Sequence, residues 1–188
     1  MKRIPVAGAT GAVGRHVVAA IREAGAEPVE LSRASGVDLT QGHGLAAALE
    51  GCDAVVDVAA VNSMSAKVSV DFFTTVTRNL LAAEREAGVG HHVALSIVGV
   101  GIATSGYYAG KVAQEALVTS SDGGWSLLRA TQFHEFAAQV ATRGRALGTH
   151  FVPPDVLPAD RGAGGRKGAG RDRAGRSPRP HPGPGRPG

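Results

Sequence analysis

Short apolar runs rich in β-branched residues alternate along the chain with stretches whose apolar residues recur at helical spacing. The runs Arg3–Ala7, Pro28–Leu31, Asp53–Ala59, His92–Ile97 and Trp125–Leu128 predict strands. Helical spacing predicts helices over Val13–Ala24, Gly44–Leu49, Asp71–Ala87, Tyr107–Val118 and Gln132–Arg145. In the first of these, Val13, Val17, Ala20, Ile21 and Ala24 fall on one stripe. Strands that are apolar throughout suit a parallel sheet covered on both faces. The βαβ alternation therefore predicts an α/β fold, an open doubly wound parallel sheet with helices on both faces. Right-handed crossovers place its ligand at the carboxyl ends of the strands. Pro5 is out of place, because it removes a ladder donor from a strand expected at the centre.

Composition divides the 188 residues in two. From Arg161 to Gly188 there is no Val, Ile, Leu, Met, Phe, Tyr or Trp, and Gly, Pro, Arg and Ala supply 24 of 28 residues. Such a segment has nothing to bury, so a domain over 1–155 and a disordered tail over 156–188 are expected. Those four residues are also the ones whose codons begin with two G or C bases. Out-of-frame translation of GC-rich DNA would give the same mixture, so a truncated or frameshifted C-terminus is expected. The overall charge of +4 hides a net −3 over residues 1–160 and +7 over 161–188. With no aromatic residue interleaved in the basic stretch, specific nucleic-acid binding is not expected. No apolar run is long enough to span a bilayer, and a secretory signal is not expected. A lone Cys52 fits a reducing compartment, and a cytoplasmic location is expected.

The strongest chemical signal is the turn Gly8-Ala9-Thr10-Gly11-Ala12-Val13-Gly14, which follows a strand and opens a helix. Gly8 can turn without a Cβ penalty, Gly11 lets backbone approach a pyrophosphate, and Gly14 permits close helix–strand packing. The helix N-terminus beyond offers N–H groups to phosphate, making Gly8, Thr10, Gly11, Ala12, Val13 and Gly14 the candidate phosphate site. At the end of the second strand, where an acid commonly takes an adenosine ribose, the chain reads Leu31-Ser32-Arg33. Ser32 can donate to a 2′-phosphate and Arg33 can pair with it, which favours NADP(H) over NAD(H). NAD(H) stays possible, with Glu30 as the alternative ribose acid. Asp38 and Leu39 are candidates for the adenine edge, and Ala59 for the cofactor cleft, with Asn62 and Ser63 just beyond.

A second constellation is Ser96, Tyr107 and Lys111. Tyr107 and Lys111 are four apart and share a helix face. A neighbouring ammonium lowers a phenol's pKa, which makes Tyr107 a candidate general acid/base. Lys111 is also a candidate for the nicotinamide ribose, and Ser96 for the substrate oxygen. The alternative is a packed tyrosine and a solvated lysine, and the adjacent Tyr108 leaves the choice of tyrosine open. His91-His92 opens a strand with the two rings on opposite faces, and no spaced third ligand suggests a metal. His134-Glu135 reads as a surface pair or a pocket edge. Cys52 reads as structural.

In this order, the glycine turn, Ser32-Arg33, Ser96 and Tyr107-x-x-x-Lys111 resemble the short-chain dehydrogenases/reductases. Ser96-Ile97-Val98-Gly99, Gly106-Tyr107-Tyr108-x-x-Lys111 and Leu128-Arg129-Ala130-Thr131-Gln132-Phe133 look most like their atypical NmrA-like, NAD(P)H-binding branch. The resemblance covers roughly residues 1–152. It implies a Rossmann-type domain holding NADP(H), with a smaller C-terminal part that places substrate. Members either transfer hydride to carbonyl, imine, quinone or activated alkene substrates, or sense the dinucleotide without turnover. Past Pro153-Pro154 the pattern stops, so the substrate-placing part is expected to be incomplete.

Overall fold

The protein is described from a computed structural model, over residues 1–102 and 105–131. Five parallel strands form one sheet in the order β2-β1-β3-β4-β5. They are β1 Arg3–Ala7, β2 Glu27–Leu31, β3 Ala54–Asp57, β4 His91–Ile97 and β5 Gly124–Ala130. The helices are α1 Gly14–Glu23, α2 Leu45–Leu49, α3 Ala66–Ala87 and α4 Tyr107–Thr119. The strand order reverses between β1 and β3, the switch point where ligands of doubly wound sheets sit. The predicted helix over 132–145, His134-Glu135 and the tail lie outside the described residues.

Helices cover both faces of this Rossmann-like sheet. On one, Ala7, Leu31 and Val55 meet Leu45 and Leu49 of α2 and Val76, Leu80 and Ala83 of α3. On the other, Val6 and Ala9 meet Val18, with Val17 and Ile21 beside it. The buried stripe of α1 is thus Gly14, Val17, Val18 and Ile21, rotated from the predicted one, and Ala20 and Ala24 are exposed. Gly14 sets that rotation, because it presses against the turn before the helix.

Pro5 is accommodated by a short ladder. β1 pairs with β2 along its whole length but with β3 only through Val6 and Ala7, the two residues after the proline. α3 begins five residues before the predicted start. Ser65 caps it, its hydroxyl accepting from the Val68 N–H at 3.4 Å. His91 and His92 do point to opposite faces: His91 meets Ser126 on β5, whereas His92 is buried against Glu84 of α3.

Candidate functional site

The turn after β1 is built from contacts that only glycine allows. Gly8 has φ +81°, and a Cβ there would lie 2.8 Å from the Ala59 backbone and the Val58 carbonyl. A Cβ on Gly14 would lie 2.0 Å from the Gly8 carbonyl oxygen, so α1 starts in direct contact with the turn. Gly11 is different. It is exposed, its N–H donates to the Gly8 carbonyl at 2.9 Å, and a Cβ would meet only that oxygen, at 3.1 Å. Thr10 is exposed beside it, and Ala12 and Val13 are half-buried. α1 carries no side-chain cap and no acid in its first turn. Its N-terminal amides and dipole therefore suit an anion, over a cradle a Cβ would fill.

At the end of β2, Ser32 and Ser35 form a reciprocal capping box around a single 3-10 turn, Arg33–Ser35. The box holds Ser32 in place and turns Arg33 outward, its side chain 87% exposed and 4.0 Å from the Asp38 carboxylate. Asp38 is engaged chiefly by Thr40, whose hydroxyl and N–H donate to it, and by the Gln41 N–H; these bonds hold its carboxyl below the usual range. Asn79 of α3 donates to the Leu39 and Thr40 carbonyls and fixes this loop from below. Glu30 is engaged by Arg22 at 3.2 Å.

α4, which follows β4, carries the second constellation. Gly110 lets it pack closely. A Cβ on it would lie 2.6 Å from the Phe73 ring and 2.7 Å from the Ser69 backbone, so α4 lies directly on α3. The Phe73 ring then serves both candidates. Tyr107 packs edge-on against it, centroids 5.3 Å apart, and the Lys111 ammonium stands 4.2 Å above its centre. Lys111 is 3% exposed and donates to the Leu95 carbonyl (2.9 Å) and to Gln114 Oε1 (2.8 Å). Burial lowers its pKa to about 8 against the opposing pull of Asp57 and Glu115. Tyr107 moves the other way. Burial, then the Asp57 charge, pushes its pKa up to about 12. The expectation that Lys111 lowers this pKa does not hold here, because burial and Asp57, an acid distant in sequence, raise it.

Ser96 lies on the buried side of β4, facing α3 and α4. Its hydroxyl has no hydrogen bond of good geometry; it adds weakly to the forces holding Glu115 low, which Arg129 dominates against burial. Arg129 and Glu115 form a two-pronged pair at 2.9 and 2.6 Å. They border a cavity of about 460 Å³ between α4, β5 and the Gly99–Gly101 turn. Among the described residues, no three His, Cys, Asp or Glu side chains come together, and no helix is long and apolar enough to cross a membrane.

The profile of a family described as NAD(P)H-binding matches residues 8–152. The chain belongs to the NAD(P)H-binding family. Its match begins at Gly8, the residue that opens the cradle. The NAD(P)H-binding chain matches no curated protein by sequence. Among solved structures it resembles a UDP-N-acetylglucosamine 4-epimerase from Bacillus cereus, at 25% identity and TM-score 0.59, over 69% of this chain and 60% of that one. It also resembles an NADPH-dependent quinone oxidoreductase from Escherichia coli complexed with NADPH, at 19% identity and TM-score 0.59, over 77% and 54%. A third is MoeE5 in complex with UDP-glucose and NAD, at 21% identity and TM-score 0.53, over 68% and 52%. The latter two likenesses are of fold. The chain spans between 52% and 60% of the length of these three.

Sequence reasoning missed Asp57, Gln114 and Phe73, which surround Lys111 in the NAD(P)H-binding domain. Gln114 had a readable signal, since it lies three residues after Lys111 on one helix face. Asp57 and Phe73 come from other elements, and no local pattern marks them.

Proposed function

We propose that the protein is an NADP(H)-dependent oxidoreductase of the short-chain dehydrogenase/reductase type, on its NmrA-like branch, acting on a small carbonyl- or quinone-type substrate. The observation that carries this reading is the shared position of Tyr107 and Lys111 on the Phe73 ring, on a helix that follows β4 as the glycine cradle follows β1. In this reading Gly8, Thr10, Gly11, Ala12, Val13 and Gly14 receive the pyrophosphate, and Ala59 borders the cleft. Ser32 and Arg33 take the 2′-phosphate, with Asp38 and Leu39 near the adenine. Arg33 supports NADP(H), because its guanidinium is exposed and stands 4.0 Å from the Asp38 carboxylate rather than in a close ion pair. A bound nicotinamide supplies or accepts the hydride. Tyr107, protonated at neutral pH, donates its phenolic proton to the substrate oxygen as the hydride reaches the carbon. Lys111 holds the nicotinamide ribose with the N–H that Leu95 and Gln114 leave to the Phe73 ring, and sets its charge beside Tyr107. Ser96 assists from the buried side.

The test follows NADPH absorbance across a panel of carbonyl and quinone compounds. Tyr107→Phe is expected to lower kcat by roughly 10²–10⁴-fold, the usual worth of a general acid. Arg33→Ala is expected to weaken NADPH by about tenfold or more and NADH little, since a charge-assisted bond contributes about 1.5–3 kcal/mol. Full turnover in Tyr107→Phe removes that residue from the chemistry. A second reading is a dinucleotide sensor without turnover. The full engagement of the Lys111 ammonium by Leu95, Gln114 and Phe73 favours it. Tight NADPH binding with no turnover on the panel is its expected signature.

A further inference from the structure

Lys111 is linked to the buried acid Asp57 through a third side chain, Gln114. Asp57, fully buried at the end of β3, accepts the Gln114 Nε2–H at 2.8 Å through Oδ2. Gln114, 1% exposed, accepts the Lys111 ammonium through its other end, at 2.8 Å. The carboxylate's second oxygen, Oδ1, accepts the Ala59 N–H at 2.9 Å. Ala59 is the residue whose backbone closes on Gly8. One unbroken path of hydrogen bonds and backbone contact thus joins the glycine cradle to the helix bearing Tyr107 and Lys111.

A buried carboxylate and a buried ammonium are each costly to hold unless paired. A direct salt bridge would satisfy both but would draw Lys111 toward β3. The interposed amide keeps the two charges coupled while the ammonium stays over Phe73. The charged and titratable groups around it are Asp57 from β3 and Tyr107 and Glu115 from α4. β4 supplies the Leu95 carbonyl and α3 the neutral Phe73 ring. The Glu84–His92 pair lies beyond Asp57.

We propose that Asp57 and Gln114 are positioning residues, which hold the charged Lys111 beside Tyr107 and tie it to the turn that receives the dinucleotide. This rests on the oxidoreductase reading for its purpose, but its test does not need turnover. The full chain, labelled with ¹³C-lysine, is titrated by NMR, with Lys111 assigned as the signal lost in Lys111→Met. The wild-type midpoint is expected near 8. Asp57→Asn keeps the acceptor for Ala59 but removes the charge, and is expected to lower the midpoint by about a unit or more. Gln114→Met keeps the volume but breaks the relay, and is expected to lower it too. Gln114→Met decides the matter if Asp57→Asn does not fold.

A purely structural role would lower the melting temperature of both variants and leave the midpoint in place; that result overturns the proposal. NADPH titration by fluorescence on the same samples separates the two ideas. Unchanged midpoints with NADPH binding intact defeat the positioning role alone. Shifted midpoints with no NADPH binding in the wild type leave that role standing and defeat the oxidoreductase reading.

Discussion

Gly11 and Gly14 look equivalent in the motif but answer to different physical demands. Gly14 is needed by the fold, because any Cβ would sit 2.0 Å from the Gly8 carbonyl. Gly11 has only one close neighbour, at 3.1 Å, and faces solvent, where a ligand would approach. Gly14→Ala is therefore expected to lose about 1–3 kcal/mol in urea unfolding, the usual range for overpacking. Gly11→Ala is expected to stay within about 0.5 kcal/mol of wild type but to weaken NADPH by roughly tenfold or more. Wild-type NADPH affinity in Gly11→Ala would place the pyrophosphate elsewhere. The turn itself was legible because its requirements are local, a few residues of backbone and the missing Cβ atoms. The setting of Tyr107 was not. Spacing on one helix suggested an ammonium that lowers the phenol's pKa, whereas Phe73 and Asp57, 34 and 50 residues away, turn the balance toward the protonated form.

Strands were the most legible elements, since a short run rich in apolar and β-branched residues is read without knowledge of its partners, as β5 was although most of its residues are exposed. Helix boundaries depended more on neighbours. α3 starts early because Ser65 caps a first turn, Ala66–Ser69, whose sequence carries little apolar periodicity. α1 turns its stripe because Gly14 must face the turn. The docking of α3 on β4 brings a further group into play, the buried pair Glu84–His92 at 2.7 Å. Burial pulls the His92 pKa down, but the Glu84 hydrogen bond and the charges of Glu84 and Asp57 outweigh it and leave it raised. A raised folded pKa adds stability that is complete below the unfolded imidazole's value and is lost as pH rises through the folded one. Urea unfolding between roughly pH 6 and pH 9 is expected to show this decline in wild type and a flatter profile in Glu84→Gln. The same decline in both proteins would remove the pair as its source.

At the scale of the whole molecule, the elements that would grip a dinucleotide draw on both core clusters of the described residues. β1, α1 and the exit of β3 meet through backbone at Gly8, Gly14 and Ala59, with a small core cluster around Val6, Ala9 and Val18. The larger cluster lies on the other face, under α2 and α3. Beside α1, an apolar groove of about 140 Å³ runs past Val56, Val58, Val93 and Leu95 to Leu128, whose side chain is largely exposed. A ligand bridging the cradle and the end of β2 would therefore tie elements of both clusters together. Binding that is confined to the folded state adds about 2.7 kcal/mol at a hundredfold excess over Kd. For a chain of this length that corresponds to a rise of roughly 5–10 °C in melting temperature. Scanning calorimetry is expected to show one cooperative transition raised by NADPH, and raised less by NADH at the same concentration. A tenfold preference would separate the two by about 1.4 kcal/mol. Equal rises would take the discrimination away from Arg33, because its guanidinium has nothing to add for a ribose that lacks the phosphate. A transition raised by neither nucleotide would mean that the cradle, although formed, does not close on a dinucleotide in this chain.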